Sequence, residues 1–132
     1  MIGLDTNILV RLLTADDPIQ TQQAAVFLRD RCSPDAPGFV NCVAMVELVW
    51  VLQSIYGYSR ANILLAMETL LANGSLAFES RQQVHSAVLA YKTTNCDFVD
   101  ALLSEINLAR GCEATATFDR KAAKVKGFIR VS

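Results

Sequence analysis

The chain has 132 residues, 52% of them apolar and 19% charged, with a formal net charge of −1. That length suits one compact domain over residues 1–132, and the composition excludes a disordered chain. No apolar run reaches the roughly 18 residues a membrane span needs, since the longest, Cys42 to Leu52, is broken by Glu47. Asp5 near the start and the lack of a basic leader read against a secretory signal. The four cysteines form no C-x-x-C pair and have only His85 to help them. Zinc and a disulfide framework are therefore not expected, and reduced thiols in a cytoplasmic protein are. Near-neutral charge excludes a global basic footprint for nucleic acid. Locally, Arg120, Lys121, Lys124, Lys126 and Arg130 fall within eleven residues that hold no acid. That run reads either as a phosphate-contacting edge or as a solvated helix.

In chain order, Met1 to Asp5 is a short apolar strand ending in an acid. Thr6 or Asp5 then caps a helix through Ile8, Leu9, Leu12 and Leu13. Asp16-Asp17-Pro18 ends it and starts another, with Pro18 in the first turn and Ala24, Phe27 and Leu28 on the apolar face. Ser33 to Gly38 is a loop, Phe39-Val40 a buried strand and Asn41 a helix cap. The helix from Val43 to about Tyr56 is apolar nearly all round, which predicts deep burial, Glu47 included. Gly57 stops it, and Ser59 caps a helix with Ile63, Met67, Leu70 and Leu71 on one face. Asn73-Gly74 turns into a strand over Leu76 to Phe78.

Val84, Ala87, Val88 and Tyr91 then repeat at helical spacing, and Thr94 to Asp97 breaks the pattern. A helix from Phe98 to Arg110 is followed by Gly111 as its C-terminal cap. Ala114 to Phe118 reads as a strand, Arg120 to Val125 as a short helix and Phe128 to Val131 as a last strand. Short apolar strands alternating with helices predict an α/β fold: an α/β/α sandwich around a central, mainly parallel sheet of about five short strands. Ligands in such sheets bind beyond the carboxyl ends of the strands.

The acids stand where that rule makes them informative. Asp5 ends the first strand, and Asp119 follows the strand Ala114 to Phe118. Glu47 sits about one and a half turns into a helix, between Val46 and Leu48. Asp97 and Asp100 are three apart at a helix start and share a face. Carboxylates about 5 Å apart repel by roughly 3 kcal/mol per pair at an effective dielectric of about 20. Protonation or a divalent cation relieves that repulsion. An oxygen-only ligand set selects a hard cation, Mg²⁺ or Mn²⁺. Each acid also has a purely structural reading. Asp97 is a helix N-cap with Asp100 at its third helical position, and Asp5 and Asp119 can be caps too. Glu47 has the weakest such reading, because capping does not apply in mid-helix.

With these acids in order, the motifs resemble those of the PIN-domain nucleases. Leu4-Asp5-Thr6-Asn7-Ile8-Leu9-Val10-Arg11 resembles the family's opening motif and Val46-Glu47-Leu48-Val49-Trp50-Val51-Leu52 its second. Asp97-Phe98-Val99-Asp100-Ala101-Leu102-Leu103 resembles the third, and Thr115-Ala116-Thr117-Phe118-Asp119-Arg120 the fourth. The likeness covers essentially the whole chain and is closest to the VapC-type toxins of prokaryotic type II toxin–antitoxin pairs. It implies a Mg²⁺- or Mn²⁺-dependent endoribonuclease whose catalytic, metal-binding acids are Asp5, Glu47, Asp100 and Asp119, with Asp97 a fifth metal ligand. Asn7 and Thr117 would support the site by hydrogen bonds. Substrate phosphates would meet Arg11 and the edge that begins with Arg120, Lys121 and Lys124. The implied partners are RNA, a cognate antitoxin and a second copy of the chain. The segments Ile55 to Tyr58 and Ile63 to Leu71 are the candidate antitoxin surface.

Rival readings fit less well. A haloacid-dehalogenase-type phosphotransfer site wants an Asp two residues after the first, where this chain has Asn7. A two-component receiver wants an acidic pair after its first strand, whereas Asp16-Asp17 follows a helix. A non-catalytic PIN scaffold that binds RNA or protein is the alternative function. It requires that metal binding or cleavage be absent.

Overall fold

Alternating short strands and helices produce the expected α/β topology in a computed structural model that describes residues 1–132. The chain divides into two compact units, Met1–Glu79 and Ser80–Ser132. The first holds β1 (Ile2–Gly3), α1 (Thr6–Thr14), α2 (Pro18–Arg31), β2 (Gly38–Val40), α3 (Cys42–Ser54), α4 (Arg60–Leu71) and β3 (Leu76–Phe78). The second holds α5 (Arg81–Thr93), α6 (Phe98–Ala109), β4 (Thr115–Thr117), a 3₁₀ turn (Ala122–Lys124) and β5 (Phe128–Arg130). No helix is long and apolar enough to cross a membrane.

In the first unit the strands run parallel in the order β1-β2-β3, with Gly3 opposite Phe39 and Phe39 opposite Ala77. Leu4 N–H extends the first pairing by donating to the Phe39 carbonyl at 2.8 Å. Parallel neighbours need a crossover, which the helix pairs α1–α2 and α3–α4 provide. In the second unit β4 and β5 are also parallel, with Thr115 opposite Phe128. All five expected strands are therefore present, but hydrogen bonds join them as a ladder of three and a ladder of two. Strands of two or three residues carry few ladder bonds each, so alternation in the sequence reveals the strands but not how they group.

The caps follow local chemistry. Asp17 accepts from Gln20 N–H at 3.0 Å ahead of Pro18, and Ser59 accepts from Asn62 N–H at 3.2 Å. Ile63, Met67, Leu70 and Leu71 of α4 are buried, as are Val84, Ala87, Val88 and Tyr91 of α5. Tyr91 meets Phe98 of α6 edge to face, with ring centres 6.4 Å apart. The segment expected to form a helix over Arg120 to Val125 makes only the 3₁₀ turn. Strand β5 begins three residues after Val125, which leaves room for one tight turn.

Helix α3 departs from expectation. Its inner face, Ala44, Met45, Leu48, Val49 and Leu52, is buried. Val43 and Trp50 are 75% and 59% exposed, and Glu47 between them is exposed as well. These three positions follow i, i+4, i+7 and so form one solvent-facing stripe. A helix packed from one side buries that side whatever residues occupy the other. The apolar composition of α3 therefore predicted too much burial for Glu47.

Candidate functional site

Each candidate acid is held by the local structure its own segment forms. Asp5 ends the β1 segment and caps α1, its Oδ1 accepting from Thr6 N–H at 2.7 Å. Asn7 lies in the first turn of α1, with its side chain exposed. Glu47 is carried by α3, whose first turn is fixed twice. Asn41 Oδ1 accepts from Ala44 N–H at 2.9 Å, and Glu79 Oε1 accepts from Cys42 N–H at 2.8 Å. Glu47 thus projects from a rigid, doubly capped helix. The first unit positions Asp5, Asn7 and Glu47.

The second unit positions the other acids. Asp97 caps α6, its Oδ1 accepting from Asp100 N–H at 3.0 Å. Thr117 Oγ1 accepts from Asp119 N–H at 3.0 Å, and Asp119 Oδ1 accepts from Lys121 N–H at 2.7 Å and Ala122 N–H at 3.3 Å. Asp5, Asp97 and Asp119 are therefore all caps, and in each the bonded atom is Oδ1. A cap uses one carboxylate oxygen and orients the other. The capping and ligand readings are compatible.

Asp97, Asp100 and Asp119 act on one another. Partial burial, then the charge of Asp97, then that of Asp119 hold the Asp100 carboxyl above its ordinary range, while Lys121 opposes them. A cavity of about 540 Å³ opens beside this group. Its lining includes Asp97, Asp100 and Glu105 together with Lys121, Lys124 and Lys126. Acids and lysines thus face one space without pairing directly, which suits a polyanion bridged by a cation.

The donor chemistry fits a hard divalent ion. All the acids present oxygen, and the like charges around Asp100 are of the kind a cation relieves. No three Asp, Glu, His or Cys side chains close into a cage of their own. Mg²⁺ commonly uses one or two carboxylates, with waters and substrate phosphate completing its shell.

Arg11 has partners within the protein. Its Nη1 donates to Asp16 Oδ1 at 2.9 Å and to the Tyr56 hydroxyl at 3.3 Å, and its Nε donates to Gln20 Oε1 at 2.6 Å. Tyr56 in turn donates to Asp16 Oδ2 at 2.7 Å. Nε and Nη1 thus tie α1 to Asp16, to Gln20 of α2 and to Tyr56 beyond α3. Arg120, Lys121 and Lys124 are exposed.

Two residues of this region escaped the sequence reading. Glu105 lines the cavity and stands at i+8 from Asp97, a helical spacing that could have flagged it. Ser104 is only 2% exposed and donates to the Lys126 carbonyl at 2.7 Å. Nothing in the sequence marks that bond, because its partner lies in another element.

A PIN domain model matches residues 2–127. The chain belongs to the PIN domain family. It is also 25% identical, over 129 residues, to a VapC ribonuclease of Aquifex aeolicus (strain VF5), covering 98% of this chain and 94% of that protein. The four segments that resembled PIN motifs lie within the matched span. In this PIN domain each motif lies at a strand end or on a capped helix, and each ends up with at least one exposed or half-buried carboxylate.

Proposed function

We propose that this PIN domain, acting as one functional domain over residues 1–132, is a Mg²⁺- or Mn²⁺-dependent endoribonuclease and the toxin of a toxin–antitoxin pair. The observation that carries the reading is the raised Asp100 carboxyl, held beside Asp97 and Asp119 at the edge of a cavity that lysines also line. Such a group is poorly placed as a lone charge and well placed as a cation ligand. The family match and the VapC ribonuclease relative support the same chemistry.

The metal-binding acids would be Asp5 and Glu47 in the first unit and Asp100 and Asp119 in the second, with Asp97 orienting the start of α6 and available as a further ligand. When bound, the ion supplies a lowered pKa for attacking water and neutralises charge that develops on the phosphate. Thr117 sets the backbone of Asp119, and Asn7 is exposed near Asp5 for a hydrogen bond to water or substrate. Arg120, Lys121 and Lys124 would bind the RNA phosphates. In the reaction water adds at phosphorus, the bond to one ribose oxygen breaks, and a proton goes to that oxygen. Arg11 would also meet a substrate phosphate, with Asp16, Gln20 and Tyr56 holding its side chain in place.

A cytoplasmic location, a homodimer and an antitoxin partner complete the proposal. Of the candidate antitoxin surface, Ile63, Ala66, Met67, Leu70 and Leu71 are core, while Ile55 and Leu65 are 66% and 64% exposed and available to a partner.

The test is incubation with total cellular RNA in Mg²⁺, in Mn²⁺ and in EDTA, beside an Asp5→Asn variant. Discrete cleavage that requires both metal and Asp5 is expected. Folded protein that binds RNA but cuts none under any condition would favour the non-catalytic binding module instead.

A further inference from the structure

Phe118 is 80% exposed, more than any other large apolar side chain in the protein. It immediately precedes the candidate acid Asp119. An aromatic ring left in water is not in itself unusual, but this one is held there on purpose-built backbone. Thr117 Oγ1 accepts from Asp119 N–H at 3.0 Å, Val131 N–H donates to the Thr117 carbonyl at 2.7 Å, and Asp119 Oδ1 accepts from Lys121 N–H at 2.7 Å. The residues on both sides of Phe118 are thus pinned, and the ring is presented by a clamped turn instead of a floppy tip. Preorganised presentation of this sort lowers the ordering cost of a contact.

The surroundings select what the ring contacts. Arg120 and Lys121 follow Phe118 directly and are exposed. Arg130, also exposed, is registered opposite Thr117 across the β4–β5 pairing. An exposed apolar ring with exposed cations at neighbouring positions of sequence and register complements a flat, neutral base attached to an anionic backbone. Phe118 is the immediate chain neighbour of the candidate acid Asp119.

We infer that Phe118 is a stacking platform for an unpaired base of the RNA substrate near Asp119. The inference rests on the ribonuclease reading above. Stacking needs a base whose face is open, which a continuous duplex does not offer. Phe118 is here a binding and positioning residue, and the carboxylates remain the catalytic ones.

The experiment compares wild-type protein with Phe118→Leu and Phe118→Tyr. Fluorescence anisotropy, in Ca²⁺ and with gels confirming intact RNA, measures affinity for a labelled single-stranded oligouridylate and for an A·U duplex of equal length. Phe118→Leu should weaken single-strand binding by about tenfold and Phe118→Tyr by no more than about twofold, because leucine keeps the apolar surface but loses the aromatic face. Duplex affinity should be the same in all three proteins. In Mg²⁺ turnover, Phe118→Leu should raise KM and leave kcat nearly unchanged. Single-strand affinity and KM unaltered in Phe118→Leu, equal losses in both variants, or equal losses for single strand and duplex would each overturn the assignment. If the wild-type protein cuts RNA while Phe118→Leu behaves identically, stacking fails and the nuclease stands. If the wild type neither cuts nor binds RNA, both fail together. Circular dichroism of the variants checks folding, which an exposed position should not disturb.

Discussion

The Ser104 hydroxyl donates a 2.7 Å hydrogen bond to the Lys126 carbonyl, joining α6 to the segment that leads into β5. Ser104 lies one helical turn beyond Asp100, so the bond fixes the lysine-bearing edge against the helix that carries the candidate ligands. Gly127 completes the contact. Its φ is +91°, and a Cβ there would run into Ser104 Oγ and Leu108. Ser104→Ala leaves a carbonyl without its donor and should lower unfolding free energy by about 1–3 kcal/mol in urea titration. Gly127→Ala should cost more, since it adds backbone strain to the clash. Wild-type stability in Ser104→Ala would show that the clamp contributes nothing.

Asp100→Asn should separate stability from function. A carboxyl held above its ordinary range favours folding while protonated and loses that contribution as pH rises through its folded pKa. At neutral pH, without metal, ionised Asp100 therefore works against the fold, in company with Asp97 and Asp119. The amide removes that burden. Calorimetry in EDTA should show Asp100→Asn melting above the wild type at pH 7, with the gap closing in acid where both are neutral. Cleavage should fall by at least about a hundredfold if one catalytic ligand is lost. A variant that melts below the wild type at pH 7 would contradict the electrostatic account.

Asp16 runs in the opposite direction. Hydrogen bonds from Tyr56 and Thr14, and the charge of Arg11, hold its carboxyl below the ordinary range. A lowered folded pKa means stability present above the unfolded value and lost as pH falls through the folded one. Asp16→Asn should therefore be less stable than wild type at neutral pH and equal to it in strong acid. The site is exposed, so the difference should be small and should shrink in high salt. Equal melting at every pH would mean that the Arg11–Asp16–Tyr56 group holds nothing together.

Trp50 reports on the outer stripe of α3. It is the only tryptophan and is 59% exposed, one turn from Glu47. Emission from dilute protein should resemble indole in water and be strongly quenched by acrylamide. Blue-shifted, protected emission at the same dilution would mean that this face is covered, either by the core or by a second copy.

Much of this protein was legible in its sequence because the relevant physics is local. Caps at Asp17, Asn41, Ser59 and Asp97 lie within three residues of the N–H groups they satisfy. The buried faces of α4 and α5 follow the 3.6-residue period, and β3 matches its predicted residues. Candidate acids stand out for the same reason, Asp5, Asp97, Asp100 and Asp119 as charges at strand ends and helix starts and Glu47 as the single charge on an apolar helix, and the PIN domain match spans all of them.

What only the tertiary structure decided depends on partners distant in the chain. Composition made α3 look buried throughout, yet packing from one side leaves Glu47 in solvent. Arg11 finds Asp16, Gln20 and Tyr56 as hydrogen-bond partners, and Tyr56 lies 45 residues away. Ser104 carries no motif and matters because of Lys126, 22 residues later. Periodicity and capping record how a residue treats its near neighbours. Burial, charge pairing and the raised Asp100 carboxyl are set by what folding brings up against it.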